Sequence, residues 1–171
     1  MKFKRLINSE DIQSRVSEIA ADISKHYDQQ ELTIICVLKG SLLFTADLVK
    51  NMDMDINIEF MRVSSYKGTN REEIKSLDKI DFNIENKNIL IVEDIVDSGN
   101  TINFIVNELN NDNPKSIKIA SLLFKPDVYN FDMKIDWIGF NIKNEFVVGY
   151  GMDYNEKFRN KKSIDILIEN E

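Results

Sequence analysis

Residues 88–101, NILIVEDIVDSGNT, decide the fold class of this chain. The apolar, mostly β-branched residues 89–92 predict a buried strand. Acidic residues follow directly, and Ser98 and Gly99 then form a small-residue turn before a helical pattern that begins at Thr101. Such a turn presents backbone N–H groups and the positive end of the helix dipole, which together suit a phosphate. The segment therefore predicts a ligand site between a strand and a helix.

Acidic residues are concentrated in this segment. Glu93, Asp94 and Asp97 lie within five residues of one another. Carboxylates this close repel one another unless a cation or hydroxyl donors lie between them. Because Ile95 and Val96 are apolar and separate the acids, the segment is predicted to be partly buried rather than a solvated acidic turn. A ligand that carries both a ribose and a phosphate fits this layout.

Strand and helix patterns surround the segment on both sides. One apolar face predicts a first helix over residues 9–28, with Asn8 or Ser9 as its cap. Apolar or alternating runs predict further strands over residues 32–38, 56–63, 80–84, 116–124 and 135–140, and helices over residues 42–51 and 101–109. This alternation predicts an α/β fold with a mostly parallel twisted sheet and helices on both faces. Ligands of such sheets bind beyond the carboxyl ends of the strands, near a switch point in strand order.

Composition excludes several classes of protein. A length of 171 residues indicates one domain, and a net charge of −7 argues against a nucleic-acid backbone as the main partner. One Cys and one His cannot build a disulfide framework or a Cys/His zinc site, and Cys36 is expected to be a reduced core residue. No targeting segment follows the basic start and no apolar run is long enough to span a bilayer, so we expect a soluble cytoplasmic protein without a membrane partner.

Residues 64–77 form the longest polar stretch without a clear period. A stretch of this kind is either disordered or a functional flap. Elsewhere, His26 is expected to be a surface residue on the polar side of the first helix.

The pattern of residues 89–101 closely resembles the phosphoribosyl-pyrophosphate signature of the type I phosphoribosyltransferases. That signature is an apolar strand, two acids, two apolar residues, Asp, Ser or Thr, Gly, any residue and Thr. The resemblance covers roughly residues 6–168 and implies the type I fold, with a single domain over residues 1–171. It also implies a base-binding hood subdomain formed by the N-terminal segment and about residues 140–171. The flap, at about residues 64–77, would close over the reacting centre with Ser65 and Tyr66.

The resemblance also implies roles for individual residues. Ribose and Mg²⁺ are assigned to Glu93 and Asp94, and Asp153 joins them at the metal. The 5′-phosphate is assigned to Asp97, Ser98, Gly99, Asn100 and Thr101, and pyrophosphate to Lys39, Gly40 and Arg159. Asp97 is also the expected catalytic residue, as a proton acceptor or hydrogen-bond partner near purine N7. In the family the peptide bond before the residue matching Lys39 is often cis.

The base-binding residues resemble those of the 6-oxopurine branch, the hypoxanthine-guanine enzymes. Lys125 is expected to donate to the purine O6, Phe146 to stack on the ring, and the backbone of Val147 to hydrogen-bond the base edge, with Asp153 nearby. The substrates implied are phosphoribosyl pyrophosphate and hypoxanthine, with guanine as a second base, and the products are IMP or GMP and pyrophosphate. The family forms homodimers and homotetramers, and the sequence does not choose between them.

Three alternatives stay open on the sequence. The first is a sibling transferase that acts mainly on guanine or xanthine. The second is a regulatory nucleotide sensor of the same fold that binds RNA, which the acidic charge and the region of Lys125 and Phe146 disfavour. The third is a dinucleotide-binding oxidoreductase, which lacks its G-x-G-x-x-G motif here.

Overall fold

The computed structural model describes residues 1–28, 30–67, 72–76 and 82–168. The helices and strands in chain order are β1 (Lys2–Ile7), α1 (Ser9–Tyr27), β2 (Leu32–Leu38), α2 (Leu42–Lys50), β3 (Ile56–Lys67), β4 (Glu72–Ser76), β5 (Asn88–Val96), α3 (Asn100–Asn110), β6 (Ser116–Phe124), β7 (Trp137–Asn141), β8 (Val147–Val148) and β9 (Ile164–Ile168). A 3₁₀ turn, Pro126–Val128, follows β6. None of the described helices is both long and apolar enough to cross a membrane.

The main sheet has the strand order β4-β3-β2-β5-β6-β7 in the described part of the chain. Strands β3, β2, β5, β6 and β7 are parallel, and β4 pairs with β3 in the antiparallel direction. From β2 the chain moves outward to β3, whereas from β5 it moves to the other edge through β6 and β7. The switch point in strand order therefore lies between β2 and β5, where a ligand site is expected in such a sheet.

Helices cover both faces of this sheet, so the predicted fold class is confirmed. Residues of α1 and α2 pack with Leu90 and Val92 of β5 in one core, and residues of α3 pack with Ile89 and Ile91 in the other. These four residues, 89–92, are fully buried. Burial on both faces explains why this strand is a continuous apolar run rather than an alternating one.

A second, smaller sheet brings the two ends of the described chain together. Strand β9 pairs in the antiparallel direction with β1 on one side and with β8 on the other. The pairs run from Lys2 opposite Ile168 to Ile7 opposite Ile164. This sheet is the small subdomain from the chain ends that the fold class included, and β8 places Val147 beside the main sheet.

The strands differ from the sequence prediction in several places: β1, β8 and β9 were not predicted, and β7 covers residues 137–141 instead of 135–140. Strand β5 continues to Val96, so Glu93 and Asp94 lie within the strand and not in the loop after it. Strand β3 continues to Lys67 and pairs with β4, so part of the predicted flap is an antiparallel hairpin. The strand predicted over residues 80–84 is wrong for residues 82–84, which are irregular, and its remainder lies outside the described residues.

Smaller predictions from the sequence are confirmed. The side chain of Asn8 accepts a hydrogen bond from the backbone N–H of Asp11 at 2.8 Å, which caps α1. Cys36 is a buried free thiol. His26 is exposed, with its ring 5.5 Å from the ring of Trp137.

Candidate active site

The end of β5 supplies two acids in an unusual environment. Glu93 is only 8% exposed, and its Oε2 atom has no hydrogen-bond partner among the described residues. Burial, followed by the charge of Asp94, raises the pKa of Glu93 well above its ordinary value. Burial also raises the pKa of Asp94, although backbone N–H groups and the charge of Arg159 act in the opposite direction. The two neighbouring acids thus lie in an environment that on balance disfavours their charged forms.

The segment after β2 lies directly against these acids. Gly40 has no room for a side chain, because a β-carbon there would overlap the carboxylate of Asp94. Gly151 lies on the other side of this segment, and a β-carbon there would overlap the carbonyl oxygen of Gly40. The peptide bond between Leu38 and Lys39 is cis. Three separate segments therefore meet at Gly40, with Lys39 beside them.

The turn between β5 and α3 is shaped by Gly99. Its φ angle of +87° is left-handed, and a β-carbon there would lie 2.5 Å from Tyr129 and 2.7 Å from Phe131. Within the described chain, the backbone N–H groups of Gly99, Asn100 and Thr101 have no hydrogen-bond partner. Helix α3 also has no side-chain cap and no acidic residue in its first turn. Its N-terminus is therefore open to an anion.

A pocket of 230 Å³ lies beside this turn. It is lined by Asp94, Ile95, Asp97, Lys125, Glu145, Phe146, Val147, Met152 and Asp153. Phe146 is 54% exposed and meets Tyr154 edge to face, with ring centroids 5.8 Å apart. Lys125 is 8% exposed, and its Nζ donates to Oδ1 of Asn144 at 3.3 Å. The pocket thus combines an aromatic face, a mostly buried cation and carboxylates.

The loop after β8 contributes an Arg that is held from several directions. The Nη2 atom of Arg159 lies 2.6 Å from Oδ1 of Asp153, and its Nη1 donates to the carbonyl of Gly151 at 2.8 Å. Glu156 lies between two cations, with one carboxylate oxygen 3.6 Å from Nη2 of Arg159 and the other 3.0 Å from Nζ of Lys39. The loop therefore links Arg159 to the segment after β2.

The structure brings most of the predicted site residues to one edge of the sheet. Asp94, Asp97, Lys125, Phe146, Val147 and Asp153 line the pocket, and Ser98, Gly99, Asn100 and Thr101 form the adjacent turn. Lys39 and Arg159 meet through Glu156, and Glu93 lies next to Asp94. A larger cavity of 500 Å³, between α1, α2 and residues 160–162, contains none of the predicted residues.

The predictions for Ser65 and Tyr66 concern side chains that lie outside the described part of the structure. Their backbone belongs to β3, opposite Ile74 and Glu73 of β4.

Sequence reasoning missed three residues of this region. Glu156 was not singled out, although an acid three residues before Arg159 was a usable signal. Asn144 is the partner of Lys125, and its position just before Phe146 was the only indication. Gly151 has no local signal of its role, and only the fold shows its approach to Gly40.

Comparison with known proteins agrees with this geometry. The model of the phosphoribosyl transferase domain matches residues 4–155. The hypoxanthine-guanine phosphoribosyltransferase of Bacillus subtilis is 42% identical over 166 residues, which cover 96% of this chain and 92% of that protein.

Two solved structures are similar over nearly the whole chain. A hypoxanthine-guanine phosphoribosyltransferase from Bacillus anthracis, with a HEPES molecule in its active site, has a TM-score of 0.93 and 39% identity and covers 98% of this chain and 100% of that one. A hypoxanthine phosphoribosyltransferase from Staphylococcus aureus has a TM-score of 0.92 and 38% identity, with 96% and 91% covered. With its strand order, its acids at the switch point and these relatives, the chain belongs to the hypoxanthine-guanine phosphoribosyltransferase family of phosphoribosyl transferases.

Proposed function

We propose that this chain transfers the 5-phosphoribosyl group of phosphoribosyl pyrophosphate to N9 of a 6-oxopurine and releases pyrophosphate. The bases proposed are hypoxanthine and guanine. The observation that carries the proposal is the 230 Å³ pocket, because it places Lys125, Phe146 and Asp97 around one space beside the open N-terminus of α3. A purine and a 5′-phosphate belong to the same nucleotide product, so the two adjoining sites fit one ligand.

The reaction breaks the bond between C1 of the ribose and the pyrophosphate oxygen. Positive charge then develops on the sugar, as in glycoside hydrolysis, and negative charge develops on the leaving group. The carboxylates of Glu93 and Asp94 are proposed to hold the ribose hydroxyls and to stabilise the positive sugar. Lys39 and Arg159, both next to the segment of Gly40, are proposed to stabilise the departing pyrophosphate.

The acids at this edge also fit magnesium. Mg²⁺ prefers hard oxygen ligands, keeps several waters and binds one or two carboxylates together with substrate phosphates. Glu93 has a buried carboxylate oxygen without a partner, and Asp94 and Asp153 line the pocket beside it. Among the described residues, Glu93, Asp94 and Asp153 do not form a cluster that could hold a metal without further ligands. When bound, Mg²⁺ would neutralise charge on the pyrophosphate oxygens.

Recognition of the base is proposed to use three elements of the pocket wall. The ammonium group of Lys125 donates to O6 of the purine. Phe146 stacks on the ring, because an exposed aromatic face at a pocket suits any planar base. The backbone of Val147 hydrogen-bonds the edge of the base. As purine N9 bonds to C1 of the ribose, Asp97 accepts a hydrogen bond or the proton at purine N7. Because stacking gives affinity for any base, the polar contacts supply the choice among bases.

Several further features belong to the same proposal. The 5′-phosphate would bind in the turn of residues 97–101, where the N–H groups of residues 99–101 have no partner in the described chain. A flap containing Ser65 and Tyr66 would exclude water from the reacting sugar. We propose a cytoplasmic homodimer or homotetramer without nucleic-acid or membrane partners. The apolar surface of β3 supports the assembly, because Ile58 is 40% and Phe60 is 51% exposed on the same face of the strand. Light scattering coupled to size-exclusion chromatography tests the assembly.

The proposal is tested by a steady-state assay with phosphoribosyl pyrophosphate, Mg²⁺ and, separately, hypoxanthine, guanine and xanthine. We expect nucleotide formation with hypoxanthine and guanine that stops when a chelator removes the metal. Turnover with xanthine alone would identify a sibling enzyme. Nucleotide binding without turnover, together with salt-sensitive RNA binding, would support the regulatory alternative instead.

A further inference from the structure

Glu156 lies next to the proposed pyrophosphate-binding residues but has no role in the proposed reaction. Its carboxylate oxygens lie 3.0 Å from Nζ of Lys39 and 3.6 Å from Nη2 of Arg159. These two cations come from different segments, the one after β2 and the loop after β8. Both are the residues assigned to pyrophosphate. An anionic side chain thus lies between the groups that would have to bind an anionic leaving group.

We propose that Glu156 acts as a positioning residue that occupies the place of pyrophosphate in the ligand-free protein and competes with it. In this arrangement the carboxylate keeps Lys39 and Arg159 close together and is displaced when phosphoribosyl pyrophosphate enters. It returns after catalysis and speeds the release of pyrophosphate. The inference rests on the proposed function, because it needs a pyrophosphate site at these two cations.

The ion pair of Glu156 is suited to being broken in each turnover. The side chain of Lys39 is 51% exposed and that of Glu156 is 68% exposed. Solvent screens both charges of such an exposed ion pair, so its loss changes an equilibrium constant by no more than about fivefold. A multiply charged pyrophosphate therefore displaces the carboxylate easily, yet the competition is large enough to measure.

The fold around Arg159 does not depend on the carboxylate of Glu156. Asp153 holds Arg159 at 2.6 Å, and the carbonyl of Gly151 accepts a second hydrogen bond from the same side chain at 2.8 Å. The backbone N–H of Glu156 donates to Oδ2 of Asp153 at 2.8 Å, and that bond is independent of the side chain at this position. A Gln at residue 156 is therefore expected to leave the loop folded and to remove only the competing charge.

The variant Glu156→Gln tests the proposal, with Glu18→Gln as the matched control. Glu18 forms an exposed ion pair of the same type, with Nη1 of Arg15 at 2.7 Å, on α1 and away from the pocket. Titration calorimetry with magnesium pyrophosphate measures affinity, and steady-state kinetics measure the KM for phosphoribosyl pyrophosphate and for hypoxanthine. Both measurements are made on the full chain at low and high salt.

We expect Glu156→Gln to bind pyrophosphate about two- to fivefold more tightly and to lower the KM for phosphoribosyl pyrophosphate by a similar factor. The KM for hypoxanthine should stay unchanged, which a general structural defect would not produce. Product inhibition by pyrophosphate should strengthen equally, and the difference from the wild type should shrink at high salt because exposed charges are screened. Glu18→Gln should match the wild type in every measurement.

Unchanged or weaker pyrophosphate affinity in Glu156→Gln, with a wild type that turns over, would overturn the competition alone. A wild type that neither turns over nor binds pyrophosphate would instead overturn the proposed function, and the competition with it. The two failures are therefore distinguished by the wild-type measurement.

Discussion

Gly40 lies against Asp94 so closely that a β-carbon at residue 40 would overlap the carboxylate group. One residue belongs to the segment after β2 and the other to β5, the two strands that flank the switch point. The missing side chain of Gly40 thus sets how near the proposed pyrophosphate segment comes to the proposed ribose site. Substitution at Gly40 is the most direct way to change this distance.

Gly40→Ala should lower both stability and transferase activity. The added methyl group must displace the Asp94 carboxylate, and overpacking of this kind costs about 1–3 kcal/mol. The double variant Gly40→Ala/Asp94→Ala removes the overlapping atoms, so it should regain thermal stability without regaining activity. Thermal unfolding and the steady-state assay measure the two effects. Equal melting temperatures for the single and double variants would contradict the contact.

Asp97→Asn should reduce turnover by about 10²- to 10⁴-fold, the range in which a positioned proton acceptor contributes. Asp97 is exposed, and an Asn side chain can still accept the hydrogen bond from the N–H of Ser98. The free energy of unfolding should therefore change by less than about 0.5 kcal/mol. Asp112→Asn, an exposed acid beyond α3, is the control. Wild-type turnover in Asp97→Asn would remove this residue from the mechanism.

Glu93→Gln should make the ligand-free protein more stable at neutral pH in magnesium-free buffer. Burial and the charge of Asp94 raise the pKa of Glu93 well above its ordinary value, so the folded state keeps a proton that the unfolded state loses above about pH 4.3. The stability of the wild type therefore falls as pH rises from there toward the folded pKa. Gln carries no such proton, so the advantage of the variant should grow from pH 4 to pH 7.

Thermal unfolding across this pH range measures the advantage of Glu93→Gln, and each kcal/mol corresponds to about 2–4 °C in Tm for a chain of this size. The transferase activity of the variant should fall at the same time, because Glu93 is proposed to bind ribose and metal. A difference in Tm that does not vary with pH would show that the carboxyl of Glu93 titrates normally.

Lys125→Met should weaken recognition of the base and leave phosphoribosyl pyrophosphate binding intact. A hydrogen bond from a charged donor contributes about 1.5–3 kcal/mol, so kcat/KM for hypoxanthine should fall about 10- to 150-fold. Lys118→Met is the matched control, because Lys118 lies on β6, the strand that Lys125 directly follows, but pairs with Asp136 at 2.9 Å. An equal loss in both variants would indicate damage to β6 rather than to base recognition.

Buried parallel strands were the best predicted part of this fold. The bounds of β2 and β6 agree with the predicted residues 32–38 and 116–124, because a continuous apolar run between polar breaks has few other solutions. The end of β5 was placed too early, since Glu93 and Asp94 are charged. The pairing with β6 continues through this part of β5, where Glu93 lies opposite Ser121. The sequence of a single strand does not show how far such pairing extends.

Contacts between distant segments were the least predictable. Strand β1 contains three charged residues and pairs with β9, at the other end of the described chain, so no neighbouring element in the sequence indicates its place. Lys39 and Glu156 are 117 residues apart, and only the folded loop brings them together. The signature around β5 could be recognised because its chemistry is local in sequence, whereas Glu156 belongs to the site only through tertiary structure.

The extension of β5 through Glu93 and Asp94 makes the alignment of the sheet a condition for activity. Side chains of a strand alternate between its faces, so a slip of one residue would move Glu93 and Asp94 each to the opposite face of the sheet and turn the apolar residues of β5 to the wrong cores. A misfolded chain could then keep nearly native secondary structure and still lack the site. Transferase activity recovered on refolding would measure correct strand alignment, which circular dichroism alone does not detect.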